Sequence, residues 1–168
     1  MGEGILFDTG IGLGALEAVW PQGIVTLSAV FLTHVEAEHA GGLCDVVRRF
    51  GVTCAFVPEG SHAPCGTPIG EGERKQFGDF EIVAYSTPGH SPTHSCYLIR
   101  RSRGGRAVLI SGDLIFAGSA GGPYFCQRQL RTHLRRVLST VEPDTLVAPG
   151  HGPFSTAENE LRYNPFLN

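Results

Sequence analysis

The chain is expected to fold as an α/β layered sandwich. Three observations predict this. Two successive runs of short apolar strands and amphipathic helices fill its 168 residues, the strands end repeatedly in His or Asp, and the second run opens on a period-two alternation from Phe77. At this length one domain spanning residues 1–168 is expected, large enough to bury most of the surface that an unfolded chain would expose.

The elements follow in order. Gly4 to Thr9 reads as a strand ending at Asp8 in a Gly-rich turn, and Leu13 to Val19 as a helix stopped by Pro21. Residues Ile24 to Thr33 lead into a buried strand, Ala29 to Leu32. A single helix is expected over His39 to Phe50, with Leu43, Val46, Val47 and Phe50 on its apolar face. Thr53 to Val57 is a further strand, and Pro58 to Gly72 a turn-rich loop. Alternation then gives strands near Phe80 to Tyr85, Ser95 to Arg100 and Arg106 to Ser111, with Gly104 and Gly105 turning the chain between the last two. Gln127 to Val141 is helical, with Leu130, Leu134, Val137 and Leu138 on one face. Thr145 to Ala148 is the last strand, and a short helix from Ser155 carries the capping pattern Ser155 to Glu158.

Composition excludes several classes. The net charge is −3 and no basic run is present, so nucleic acid is not an expected partner; Arg100 to Arg106 fits a solvated hairpin tip. No apolar run approaches the roughly 20 residues of a membrane span, and the N-terminus lacks a charged-then-apolar leader, so a cytoplasmic protein away from membranes is expected. The five cysteines are odd in number, scattered and without a CxxC pair, which predicts reduced thiols.

Chemistry concentrates at the strand ends. Within six residues of the strand ending at Thr33 come His34, Glu36, Glu38 and His39, two imidazoles and two carboxylates of the kinds that bind Zn, Fe or Mn. His90, Asp113 and His151 each occupy a Gly-containing loop directly after an apolar strand. Their common position predicts a shared metal site. His62 in a surface loop and His133 on a helix surface are read as bystanders.

The ordered segments FDTG with Asp8, THVEAEHAGG from Thr33, TPGHSPTHS from Thr87, SGDLIFAGS from Ser111 and APGHGPFSTAENE from Ala148 resemble the metallo-β-lactamase superfamily. They most resemble its glyoxalase II-type hydrolases in their short bacterial form, and the resemblance covers nearly the whole chain. It implies an αββα sandwich, here without the first β-hairpin, and an open sheet edge suited to a homo-oligomer. It also implies one or two divalent metal ions. His34, Glu36 and His90 would hold one and Glu38, His39 and His151 the other, with Asp113 bridging and Asp8 and Thr33 orienting ligands from behind. Asp113 and Glu38 would be the catalytic carboxylates, and Tyr124 and Phe125 the substrate-side candidates.

Two positions depart from the family pattern: Glu36 stands where it has histidine and Glu38 where it has aspartate, giving HxExEH. A carboxylate at the first of these resembles the flavodiiron proteins. The added negative oxygen ligand favours Fe or Mn over Zn and damps Lewis acidity. Three readings follow. The first is a metal-dependent hydrolase of a small thioester or ester, its nucleophile a metal-bound hydroxide, as in hydroxyacylglutathione hydrolases; no GxSxG elbow competes with it. The second is iron-dependent redox chemistry resembling flavodiiron proteins or persulfide dioxygenases. The third is a non-catalytic metal-binding domain.

Overall fold

The computed structural model describes residues 2–167, which divide into two compact units between Ile69 and Gly70. Each has its own sheet.

In the first unit, β1 (Gly2–Phe7), β2 (Ile24–Phe31), β3 (Ala55–Pro58) and β4 (Thr67–Ile69) lie in that order, every pair parallel. Strand periodicity splits the apolar residues of β2 between two faces. Val30 and the following Leu32 join Leu43, Val46, Val52, Ala55 and Val57 in one core cluster. Phe31 stacks between Phe7 and Phe56, its partners in register, with centroids 5.3 and 4.8 Å away. Parallel pairing sets the carboxyl ends of β1 and β2 on one rim, so Asp8 emerges beside Thr33.

Three expectations are corrected here. The helix expected over 39–50 is two, α2 (Ala37–Ala40) and α3 (Leu43–Phe50), because Gly42 donates its N–H to Gly10 O rather than continuing the helical ladder. The loop after β3 contains β4, whose exposed Thr67 and Pro68 give no apolar signal. Cys44 and Cys65 form a disulfide, Cα to Cα 5.7 Å, which ties α3 to that loop, so two of the thiols are not reduced. The preceding helix, α1 (Leu13–Ala18), matches its expected start.

In the second unit the sheet order is β12-β11-β8-β7-β6-β5. Its strands are β5 (Arg74–Phe77), β6 (Phe80–Ser86), β7 (Ser95–Arg101), β8 (Val108–Gly112), β11 (Leu146–Pro149) and β12 (Ser155–Thr156). A small hairpin, β9 (Ile115–Phe116) with β10 (Ser119–Ala120), follows β8. Helix α4 (Gln127–Thr140) buries Leu130, Leu134, Val137 and Leu138 against Val83, Cys96, Leu98, Leu109 and Val147 of the sheet. Each such leucine contributes about 1.5–3 kcal/mol by leaving water. Because β6 and β8 both run antiparallel to β7, and β8 runs parallel to β11, the carboxyl ends of β6, β8 and β11 share one rim. His90, Asp113 and His151 follow those three ends.

The expected capping pattern at Ser155 falls one residue later. Thr156 caps α5 (Ala157–Tyr163) by accepting from Asn159 N, while Ser155 belongs to β12 and its hydroxyl turns to Glu160. Among the described residues no helix is long and apolar enough to cross a membrane.

Candidate functional site

In residues 1–69 the candidate ligands are organised by Asp8. The chain leaves β1 in a left-handed conformation at this residue, φ 56, held by Asp8 N donating to Phe31 O. Its carboxylate then accepts three hydrogen bonds: Thr33 N to Oδ1 at 2.7 Å, and Thr33 Oγ and His39 Nδ1 to Oδ2, each at 2.8 Å. Thr33 spends its hydroxyl proton on Asp8, so its oxygen accepts from His34 Nδ1 at 3.0 Å. Both imidazoles therefore carry a proton on Nδ1, which leaves Nε2 as the nitrogen suited to a metal. The two rings lie 4.0 Å apart and both are buried. Thr9 completes the arrangement, donating through N and Oγ to His39 O. Asp8 and Thr33 together thus fix the Nδ1 sides of the His34 and His39 rings.

The two glutamates differ. Glu38 is exposed on α2, with a carboxylate oxygen within 4.8 Å of a ring nitrogen of His39. Glu36 is half-buried at the N-cap of α2, where its carbonyl accepts from His39 N and Ala40 N. Among the described residues it belongs to no group of three or more potential ligand side chains within that reach. His62 is exposed and lines an apolar cleft with Val35, Ala37 and Leu43.

In residues 70–168 backbone groups do the orienting. His90 is buried, and its Nδ1 donates to Gly122 O at 2.9 Å, again leaving Nε2 as the nitrogen turned to the other ligands. That nitrogen lies 3.7 Å from Asp113 Oδ2, and His151 Nε2 lies 3.6 Å from the same oxygen. These separations exceed a hydrogen bond. They are close to the roughly 3.4 Å between two ligand atoms that each sit about 2.1 Å from a tetrahedral ion. Two imidazoles and a carboxylate so spaced fit a divalent metal. Close approach demands glycine here: a Cβ on Gly121 would fall 1.8 Å from Asp113 O, and one on Gly89 would fall 2.4 Å from Leu130 N.

His94, unassigned from the sequence although it lies in the quoted TPGHSPTHS segment, is buried behind Asp113. Asp113 N donates to its Nε2 at 3.2 Å, so its proton resides on Nδ1 and goes to Thr87 Oγ at 2.7 Å. Beneath, burial pushes the Cys96 thiol up to about 12, which excludes it as a nucleophile. Tyr124 is 81% exposed with its ring 5.2 Å from that of His90, whereas Phe125 contributes a backbone N–H to Gly89 O. His133 is half-buried on α4 rather than on its surface, and desolvation holds it below the usual histidine range.

A sequence profile of the metallo-beta-lactamase superfamily matches residues 1–151. The chain belongs to this superfamily. Members of the metallo-beta-lactamase superfamily bind divalent metals, consistent with the donor sets above. The fold agrees: ETHE1 from Myxococcus xanthus superposes with a TM-score of 0.82 at 26% identity, over 97% of this chain and 73% of that one. The di-iron-bound form of TTHA1623 gives 0.75 at 29% identity, over 96% and 88%. A hydroxyacylglutathione hydrolase from Xanthomonas axonopodis pv. citri is 32% identical over 89% of this chain, which spans only 56% of that enzyme.

Proposed function

We propose that the protein is a metal-dependent hydrolase of small thioesters or esters, its ligands drawn from His34, Glu36, Glu38, His39, His90, Asp113 and His151. The observation that carries this reading is the pinning of Nδ1 in His34, His39 and His90 by a hydroxyl, a carboxylate and a carbonyl. Three imidazoles with Nδ1 tied to the protein in this way present Nε2 outward, an arrangement suited to metal ligation. The metal would supply Lewis acidity, activating water and stabilising negative charge that develops on a carbonyl oxygen.

The chain's own groups do the rest. Asp113, with its amide fixed by His94, presents Oδ2 toward His90 and His151. Asp8 holds His34 and His39 in place, directly and through Thr33. Tyr124, exposed beside His90, is suited to cover an apolar part of the substrate. The similarity to hydroxyacylglutathione hydrolases supports a thioester over other carbonyl substrates.

A second reading, iron-dependent redox chemistry, is favoured by the extra carboxylate at Glu36 and by the likeness to ETHE1 and to the di-iron-bound TTHA1623. Plasma mass spectrometry on protein purified without added metal, run alongside thioester hydrolysis and oxygen-uptake assays, separates the two. Bound divalent metal with thioester turnover and no oxygen uptake is expected. Iron with oxygen consumption and no hydrolysis would replace the first reading with the second.

A further inference from the structure

Glu160 is a buried carboxylate, 3% exposed, far along the chain from every candidate ligand except His151. Gly118 N donates to it at 3.0 Å, Asn164 Nδ2 at 2.7 Å, and Ser155 Oγ makes a short hydrogen bond to Oε1. Burying an anion is costly unless its oxygens are satisfied, and here donors from three separate segments converge on it.

Two of those segments flank His151. Ser155 ends the loop that carries it, and the loop's other end is tied by Gly150 N donating to Gly112 O at 2.9 Å. Gly118 forms the turn of the β9–β10 hairpin, whose Phe116 meets the His151 ring edge-on at 5.8 Å. Asn164 also ties the C-terminal end of α5 to the hairpin, donating to Ser119 O at 2.8 Å. His151 itself is half exposed, so packing alone does not set its ring.

We propose that Glu160 is a positioning residue for His151: by clamping Ser155 and Gly118 to one carboxylate it fixes the loop against the hairpin and aims Nε2 at Asp113. The inference rests on His151 being a metal ligand, as read above. It assigns to α5 a role in metal retention.

The test uses the full chain and the variants Ser155→Ala, Ser155→Thr and Glu160→Gln. In metal-free protein, nuclear Overhauser contact between the His151 and Phe116 rings reports the clamp directly. Titration with Zn(II) or Mn(II) then reports its consequence. The contact is expected in wild type and in Ser155→Thr, and absent in Ser155→Ala and Glu160→Gln. Metal affinity in those two is expected to fall about 10- to 100-fold, the range for groups that orient a ligand. Ser155→Ala removes one donor only, so it keeps the test valid should Glu160→Gln fold poorly. Unchanged ring contact and unchanged affinity in Ser155→Ala and Glu160→Gln, whatever their melting temperatures, would overturn the proposal. A wild-type protein with the ring contact but no metal would overturn the function proposed above, and the ring contact would then decide the positioning role by itself.

Discussion

His34 and His39 are oriented through one side chain, whereas His90 and Asp113 are oriented by Gly122 O and, from behind, by His94. Asp8 gathers three donors onto a single carboxylate, two of them from Thr33. In residues 70–168 the same task is spread over several loops. Ligands held by one carboxylate and ligands held by distributed contacts should fail unequally when each holder is removed.

The largest effect is expected where the two histidines of the second set meet. Asp113→Ala removes the oxygen facing both His90 and His151 and should lower thioester turnover on the order of 10³-fold, several kcal/mol of transition-state stabilisation, with metal lost in parallel. Retained metal and retained turnover would remove Asp113 from the centre of the site. Next comes the comparison itself. Asp8→Ala strands three donors and should cost about 10- to 100-fold in metal affinity and about 2–3 kcal/mol in urea denaturation. His94→Gln keeps an acceptor near Asp113 N and should cost less than about tenfold. Equal losses in the two variants would erase the contrast.

Cys44→Ser should lower stability by about 3 kcal/mol relative to oxidised wild type, the loop-entropy value for a separation of 21 residues. Urea unfolding with and without a thiol reductant checks it; the variant should ignore the reductant. The smallest effect concerns His133, where burial, with Arg136 adding to it, depresses the folded pKa below the unfolded value of about 6.5. The unfolded chain then binds more protons in the window just below 6.5. Stability contributed by neutral His133 is complete above that value and declines as pH falls through it. Melting temperatures of His133→Gln should decline less than wild type on going from pH 7.5 to 5.5.

The legibility of these features in the sequence follows physical lines. Leu130, Leu134, Val137 and Leu138 announced α4 because one buried stripe at helical spacing leaves a strong periodic trace. The strand ends carrying Asp8, His90, Asp113 and His151 were readable because each sits where an apolar run stops at a glycine-containing loop, and that at Thr33 because His34, Glu36, Glu38 and His39 follow it at once. The Cys44–Cys65 pairing was not, since it depends on the 59–66 loop folding back onto α3. Nor were β4 and β5, short strands whose residues are mostly exposed and so lack an apolar run. His94 differs from His90 only in what surrounds it, four residues on in the same loop, and composition carries no trace of that. Glu160 carries no periodic or motif signal of its own; only the packed structure reveals the three donors around it.

The left-handed backbone at Asp8 has a consequence for sequence drift. A residue with φ 56 must be one that tolerates that conformation, chiefly Gly, Asn or Asp. The three donors aimed at its side chain reject glycine, which offers them nothing, and asparagine, whose amide group would oppose one of them. Main-chain geometry and proton bookkeeping impose unrelated filters at the same codon, and aspartate alone passes both.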